Sequence, residues 1–243
     1  MKQAELDKIT EDVIALLKKS GIVSISKSGS TQAETGSVKG PAEAAVPRSP
    51  FKKDPMLVPV LITDRAVVLS NDDIKALFGS VSLHKDESLS GGSRVVYQET
   101  VNVCGPDGEI GDVHVCAPED NERQVELLSG DDLILGIKAP LRLSGDTESS
   151  PGLRIVSPSG ASIELDEGAI IPMRKVTVDP ARAKEMKLGK GQLVSAEVSG
   201  SRGGVLTNVA VIIREGADGF CHLDKNEAAA MCISAASMVK IRK

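Results

Sequence analysis

The sequence predicts a mainly β fold, in which two similar small β-barrel domains with short capping helices follow an N-terminal amphipathic helix and a flexible linker. One observation behind this prediction is a series of short Val- and Ile-rich segments, separated by turn residues, that begins after Pro55. A second is one motif that recurs after 109 residues. A third is the different character of the first 54 residues, where a helical pattern precedes a polar stretch.

Residues 1–21 are predicted to form the amphipathic helix, which ends at Gly21. Residues 22–54 are predicted to form the linker, because a stretch rich in Ser, Gly, Ala, Lys and Pro cannot bury enough surface to offset its ordering entropy. The helix carries five apolar side chains at the spacing of one helical face: Leu6, Ile9, Val13, Leu16 and Leu17.

This apolar stripe has two interpretations. The helix could dock on its own domain or pair in an oligomer. Alternatively, it could be a targeting peptide that lays its stripe into a groove of another protein. The long polar tether favours the targeting peptide.

The predicted strands share a high content of Val and Ile, and Gly- and Pro-containing turns separate them. They are Leu57–Ile62, Arg94–Val103, Asp112–Cys116, Gly152–Val156, Ser162–Leu165, Val194–Val198 and Leu206–Ile213. Four short helices are predicted where a side-chain oxygen can accept hydrogen bonds from free backbone N–H groups; they begin at Ser70, Ser129, Asp179 and Asp224.

The repeated motif consists of a strand, an Arg-x-Val sequence, a helix cap and a short helix. Its matching positions are Arg65 and Arg174, Val67 and Val176, Ser70 and Asp179, and Leu77 and Met186. Two copies of one strand-rich unit predict two barrel halves, 55–168 and 169–243, whose strands can interleave. A cleft between such units is a natural ligand site.

Composition excludes several classes of function. The net charge of −5, without a basic stripe, argues against a nucleic-acid partner. We expect no membrane span, because no apolar run approaches the ~20 residues that a bilayer requires, and no signal peptide, so the expected location is the cytoplasm. The four cysteines form no Cys-x-x-Cys pair and are expected to be reduced, buried thiols.

Several stretches, taken in order, resemble the PduL-type phosphate propanoyltransferases, a family of zinc-dependent phosphotransacylases. The stretches that carry the resemblance are Val60–Ser70, Asn71–Gly79, Gln98–Val101, Gly105–Gly108, Gln124–Glu126, Ser144–Gly152, Ile170–Val178 and His222–Ala228. The resemblance implies two β-barrel domains, two zinc ions between them, and transfer of an acyl group from coenzyme A to phosphate. It also implies a role for residues 1–50, since family members inside bacterial microcompartments carry an N-terminal encapsulation helix on a linker.

The chain departs from the metal ligands that this resemblance implies. Those ligands are four histidines in two His-x-His pairs, one Glu and one later His. Glu126 and His222 match the last two, whereas the four histidine positions hold Ala66, Val68, Lys175 and Thr177. Ala and Val carry no donor atom and a Lys ammonium repels a dication, so we expect neither zinc nor another cofactor to bind tightly.

Without a metal, Glu126 would be a carboxylate in a cleft that needs a cation. We expect Lys175, Arg65 or Arg174 to supply that charge. Two roles remain open for Arg65 and Arg174. They contact phosphate or coenzyme A, or they stabilise the interface between the two halves.

The remaining candidates receive simpler interpretations. His222 is expected to be buried and hydrogen-bonded, and His84 and His114 to lie on the surface. The resemblance implies a phosphate-binding Arg where this chain has Asp120, and Arg123 is the nearest replacement.

The sequence therefore favours a PduL-like protein that has lost zinc catalysis and acts as a component of a bacterial microcompartment lumen. Residues 1–20 would contact shell or cargo proteins, and the chain could self-associate or pair with an active paralogue. The alternatives are an active phosphate acyltransferase with a rebuilt, metal-poor site, and a coenzyme A-binding module.

Overall fold

The computed structural model describes residues 54–91, 94–117 and 123–243. The predicted helix (1–21) and nearly all of the predicted linker (22–54) lie outside these residues. The described residues form fourteen strands and four short helices, which confirms the mainly β class. None of these helices has the length and apolar character needed to cross a bilayer.

The strands are β1 (Leu57–Thr63), β2 (Ala66–Val68), β3 (Val96–Cys104), β4 (Glu109–Cys116), β5 (Gln124–Glu126), β6 (Leu141–Arg142), β7 (Leu153–Val156), β8 (Ser162–Leu165), β9 (Ala169–Pro172), β10 (Lys175–Val178), β11 (Leu193–Val198), β12 (Gly204–Ile213), β13 (Cys221–Asp224) and β14 (Met238–Arg242). The helices are α1 (Asn71–Phe78), α2 (Asp131–Leu135), α3 (Pro180–Met186) and α4 (Lys225–Ala230).

Six strands close into a barrel in the order β1-β13-β10-β12-β11-β14, with β14 pairing back to β1. Closure removes the open edges that a flat sheet would expose. Alternate residues of these strands point inward, and the resulting core consists almost entirely of aliphatic side chains, among them Val58, Val176, Val211, Leu223 and Ile241.

The other eight strands form one sheet in the order β6-β9-β5-β2-β4-β3-β7-β8. Its core is equally aliphatic and includes Val67, Leu69, Val103, Leu135 and Ile155. The sheet has the pairing pattern of the barrel, since β2 lies between parallel β4 and antiparallel β5, as β10 lies between parallel β12 and antiparallel β13.

The two sheets exchange strands. Strand β1 precedes β2 along the chain but pairs with β13 and β14 in the barrel. Strand β9 precedes β10 but pairs with β5 and β6 in the larger sheet. The chain therefore passes from the barrel to the larger sheet after β1 and returns to the barrel after β9.

Three of the four helices begin with the predicted caps. Ser70 and Asp73 form a capping box at α1, Asp224 and Glu227 form another at α4, and the Asp179 carboxylate accepts a hydrogen bond at the start of α3. Helix α2 differs from the prediction, because its N-cap is Gly130 and no side chain caps it. The Asp131 carboxylate instead accepts from the backbone N–H of Leu128 and from an arginine, as described below.

All four cysteines are free thiols, but only two of them are buried. Cys116 and Cys221 lie in the interior, Cys104 is partly exposed, and Cys232 is exposed. The prediction that all four are buried is wrong for the last two, which lie at the end of β3 and just after α4.

Candidate functional site

The strand pairing places four positions that the resemblance implies as metal ligands at equivalent points of the two sheets. Ala66 of β2 lies opposite Glu126 of β5. Lys175 of β10 lies opposite His222 of β13 in the same antiparallel arrangement. Each sheet therefore places one position where the resemblance implies a histidine directly opposite Glu126 or His222.

An arginine–carboxylate pair stands beside each of these contacts. Arg65 donates from Nε and Nη2 to the two carboxylate oxygens of Asp131, both at 2.7 Å. The Asp131 side chain is only 4% exposed. The Arg65 guanidinium makes two hydrogen bonds to a buried carboxylate, so it holds the start of α2 against β2.

The second pair repeats the first. Arg174 donates from Nε to the Glu227 carboxylate and from Nη1 to the Thr207 carbonyl, the latter at 2.7 Å. Glu227 follows His222 by five residues, as Asp131 follows Glu126. Both arginines therefore brace a short helix against a strand.

A cleft between the sheets contains the other candidate residues. It consists of two adjoining pockets that share Arg94, Glu126, Ser144, Lys175 and His222. We name them by one distinctive residue each, the Arg174 pocket and the Cys116 pocket. Arg65 lines neither pocket, whereas Arg174 lines the first.

Glu126 is the most constrained group of the cleft. Its carboxylate accepts hydrogen bonds from Arg94 Nη1 at 2.8 Å, Ser144 Oγ at 2.8 Å and Gln124 Nε2 at 3.0 Å. Burial alone would raise the pKa of Glu126, but the charge of Arg94, the Ser144 hydroxyl and the charge of Lys175 together lower it below its usual value. The carboxylate is therefore ionised at neutral pH, and each of its oxygens accepts at least one hydrogen bond.

The sequence-based interpretation missed Arg94, which is the direct cationic partner of Glu126. Burial opposes the charged form of Arg94, but the Glu126 carboxylate outweighs burial and raises the guanidinium pKa further. Of the three cations predicted for this role, Lys175 acts on Glu126 through its charge, while Arg65 and Arg174 pair with other carboxylates. A buried Glu126 predicts that a cation lies nearby, but no pattern in the sequence indicates Arg94, which precedes Glu126 by 32 positions.

His222 is buried, as predicted, and its Nε2 lies 3.3 Å from the Thr177 hydroxyl. Burial and the charges of Lys175, Arg94 and Arg214 lower its pKa to about 3, so the imidazole is neutral at physiological pH. Of the other histidines, His84 is exposed, but His114 is only partly exposed and lies 2.8 Å from the Tyr97 carbonyl.

Arg123, the nearest replacement for the phosphate-binding arginine that the resemblance implies, pairs with Asp73. Arg123 donates to both carboxylate oxygens of Asp73, at 2.7 and 2.8 Å, and lines neither pocket of the cleft. Asp120 lies outside the described residues.

These residues do not fit zinc. Within the described part of the chain, no group of three or more His, Cys, Asp or Glu side chains is placed to hold a metal ion. Ala66 and Val68 present hydrocarbon, Lys175 presents an ammonium, and the Glu126 oxygens already accept three hydrogen bonds. A cation at this point would meet Arg94 and Lys175 rather than a set of donors.

Comparison with known proteins identifies the source of this architecture. The family model for phosphate propanoyltransferase matches residues 59–234. The chain belongs to the phosphate propanoyltransferase family. A phosphate propanoyltransferase of Rhodobacter capsulatus is 37% identical over 191 residues, which cover 78% of this chain and 88% of that protein.

Two further relatives carry the same name. One from Rhodopseudomonas palustris is 35% identical over 78% of this chain and 84% of its own length. One from Salmonella typhimurium is 32% identical over 70% of this chain and 81% of its own length. The family's reaction transfers an acyl group from coenzyme A to phosphate and releases coenzyme A, so the cleft described above lies in the fold of an acyl-transfer family.

We expect substitution of the two arginines to reduce the free energy of unfolding by different amounts. Arg65→Met should lower the free energy of unfolding by about 3 kcal/mol, because it leaves the Asp131 carboxylate buried and unpaired. Arg174→Met should cost about 1 kcal/mol, because Glu227 is 20% exposed and water can solvate it. Urea unfolding of both variants measures the difference. Equal losses would contradict the bracing role that we assign to Arg65.

The depressed pKa of His222 predicts an acid-sensitive fold. Unfolded chains bind a proton at His222 below a pH of about 6.5, whereas the folded chain resists protonation down to about 3, so stability falls as the pH drops through that window. Between pH 7 and 5.5 the wild type should lose about 1.4 kcal/mol more than His222→Gln. Urea unfolding at both pH values tests this, and His84 and His114, present in both proteins, cancel from the comparison. Parallel pH dependence of the two proteins would show that His222 titrates normally.

Proposed function

We propose that this member of the phosphate propanoyltransferase family has lost zinc-dependent acyl transfer and serves as a non-catalytic component of a bacterial microcompartment. The observation that carries the proposal is the state of Glu126. A group that ligates metal in the family is here tied to Arg94, Ser144 and Gln124. Both oxygens of this carboxylate already accept hydrogen bonds, so a metal ion would have to compete with the Arg94 guanidinium for Oε2 and with Ser144 and Gln124 for Oε1.

The energetics of acyl transfer support this proposal. Attack on a thioester carbonyl builds negative charge on the carbonyl oxygen, and an active site must stabilise it with cations or aligned donors. A bound metal supplies several kcal/mol of that stabilisation as a Lewis acid. In this cleft Arg94 and Arg174 already hold carboxylates, so their charges are largely compensated before a substrate arrives.

The N-terminal sequence supports a place inside a microcompartment. The sequence of residues 1–20 carries apolar side chains at the spacing of one helical face, and a stretch rich in Ser, Gly, Ala, Lys and Pro follows it. We propose that this segment binds shell or cargo proteins and directs the chain from the cytoplasm into the lumen. There the folded part could pair with another copy or with an active paralogue.

One observation favours a second candidate, in which the cleft still binds a ligand of the family reaction. Lys175 lines both pockets and contributes a positive charge that no carboxylate among the described residues binds directly. A coenzyme A-binding module, or an acyltransferase with a rebuilt metal-poor site, would use such a charge. Turnover distinguishes the rebuilt enzyme from the other possibilities.

Purified full-length protein should show no phosphate-dependent release of coenzyme A from acetyl- or propionyl-coenzyme A, with or without added zinc. A catalytically active family member assayed in parallel provides the positive control. Turnover by this chain at an ordinary enzyme rate of about 1 s⁻¹ or more would reject the non-catalytic proposal in favour of the rebuilt site.

Deleting residues 1–20 should abolish recovery of the chain with purified microcompartments. Because the predicted helix binds through its apolar face, Leu6→Glu combined with Leu16→Glu should have the same effect. Lys8→Glu combined with Lys18→Glu changes the polar face and should leave recovery intact. Unchanged recovery of the deletion variant would refute the encapsulation role.

A further inference from the structure

One wall of the cleft is formed by a segment that has little apolar packing. Residues 143–149, which lie between β6 and β7, contribute Ser144 to both pockets. None of the seven residues is buried, and Leu143 carries the only aliphatic side chain apart from the methyl group of Thr147. Because buried apolar contacts provide much of the local stability of a fold, a segment with few of them can open while the rest stays folded.

Two hydrogen bonds attach this segment to the interior of the cleft. Ser144 Oγ donates to Glu126 Oε1 at 2.8 Å, and the Gly145 backbone N–H donates to Gln124 Oε1 at 2.8 Å. Both acceptors are buried residues of β5. The other hydrogen bonds of the segment, within the described residues, are local turns or contacts at the surface. The position of the segment over the cleft therefore depends mainly on its two bonds to β5.

Two residues of the segment adopt left-handed backbone conformations. Gly145 has a φ of 94° and Ser149 a φ of 58°. Glycine adopts such a conformation readily, whereas a serine in it is strained. Rotations at these two positions can swing the residues between them while β6 and β7 stay in place. Relief of the strain at Ser149 lowers the free-energy cost of leaving the observed conformation.

We infer that residues 143–149 form a lid over the cleft, held closed by the Glu126 carboxylate and the Gln124 carboxamide. Glu126 accepts from Ser144 at Oε1 and from Arg94 at Oε2, so one buried carboxylate positions both the lid and a cation of the cleft. When the two bonds to β5 break, the lid moves away and solvent reaches the Cys116 pocket, which Ser144 lines. The lid controls access alone, so it goes beyond the proposed function and does not depend on it.

Two buried cysteines provide the readout. Cys116 is 3% exposed and lines the cleft together with Ser144, whereas Cys221 lies in the core of the barrel. Burial raises the pKa of Cys221 to about 12, so its thiol reacts only when the barrel unfolds. Replacing Cys104 and Cys232, the two less buried thiols, by serine leaves this pair as the only cysteines of the chain.

Alkylation of this full-length double variant with N-ethylmaleimide at neutral pH, followed by peptide mass spectrometry, tests the lid. We expect Cys116 to react faster than Cys221. Adding Ser144→Ala removes a hydrogen bond to a charged group and should accelerate labelling of Cys116 by about tenfold, with Cys221 unchanged. Adding Ser201→Ala instead removes the same hydroxyl from an exposed turn of the barrel and should leave both rates unchanged.

Two results would overturn this inference. One is an equal rate of Cys116 labelling in the proteins with Ser144→Ala and with Ser201→Ala. The other is equal acceleration of Cys116 and Cys221 by Ser144→Ala, since it would assign Ser144 to the stability of the whole fold.

Hydrogen exchange of the wild-type protein supplies a measurement that needs no cysteine substitution. Backbone amides of residues 143–149 should exchange before those of β7, because the lid opens without unfolding of the sheet. Ser144→Ala should speed exchange in residues 143–149 about tenfold further and leave β7 unchanged. Exchange of the lid and of β7 at one common rate would contradict a lid that opens on its own.

Discussion

The structure depends on the need to neutralise a carboxylate that the fold buries between two sheets. Glu126 is 4% exposed, and an ionised carboxylate at such depth is tolerated only with a cation and hydrogen-bond donors. Arg94, Ser144 and Gln124 meet that need, and Lys175 adds a positive charge from the other half. This network therefore compensates the buried charge of Glu126 with side chains of the described residues alone.

The exchange of strands makes this compensation possible. Because each half contributes its leading strand to the other sheet, β2 and β10 lie at equivalent positions, and their partners β5 and β13 carry Glu126 and His222. The two braces follow from the same symmetry, with Arg65 on Asp131 and Arg174 on Glu227. Substitutions at the ligand positions leave these braces untouched, which allows the architecture to persist while the charges of the cleft change.

The sequence predicted the fold class, and it predicted the strands that contain enough residues to show a pattern. The prediction for Leu57–Ile62 is one residue short of β1, and Ser162–Leu165 coincides with β8. Strands of three residues, such as β2 and β5, are too short to show a periodicity and exist because neighbouring strands pair with them. The exchange of β1 and β9 depends on such long-range pairing, which local pattern does not encode.

The site was predictable where the chemistry of one residue requires a partner, and unpredictable where geometry selects that partner. Glu126 indicated the need for a cation, but Lys175, Arg65 and Arg174 were candidates because they adjoin the repeated motif. Arg94 acquires its role because β3 starts beside Glu126 in space. Similarly, the equivalence of Asp131 and Glu227 depends on the hydrogen bonds that they accept from Arg65 and Arg174, and the sequence alone does not show these bonds.

The central claim is that side-chain charges have replaced the metal of this cleft, and zinc stoichiometry tests it most directly. The full-length protein, produced in zinc-supplemented medium and dialysed, would be compared by elemental analysis with a variant carrying Ala66→His, Val68→His, Lys175→His and Thr177→His. The account predicts negligible zinc in the wild type and measurable zinc in the variant, whose restored donors can ligate it. Stoichiometric zinc in the wild-type protein would contradict the account.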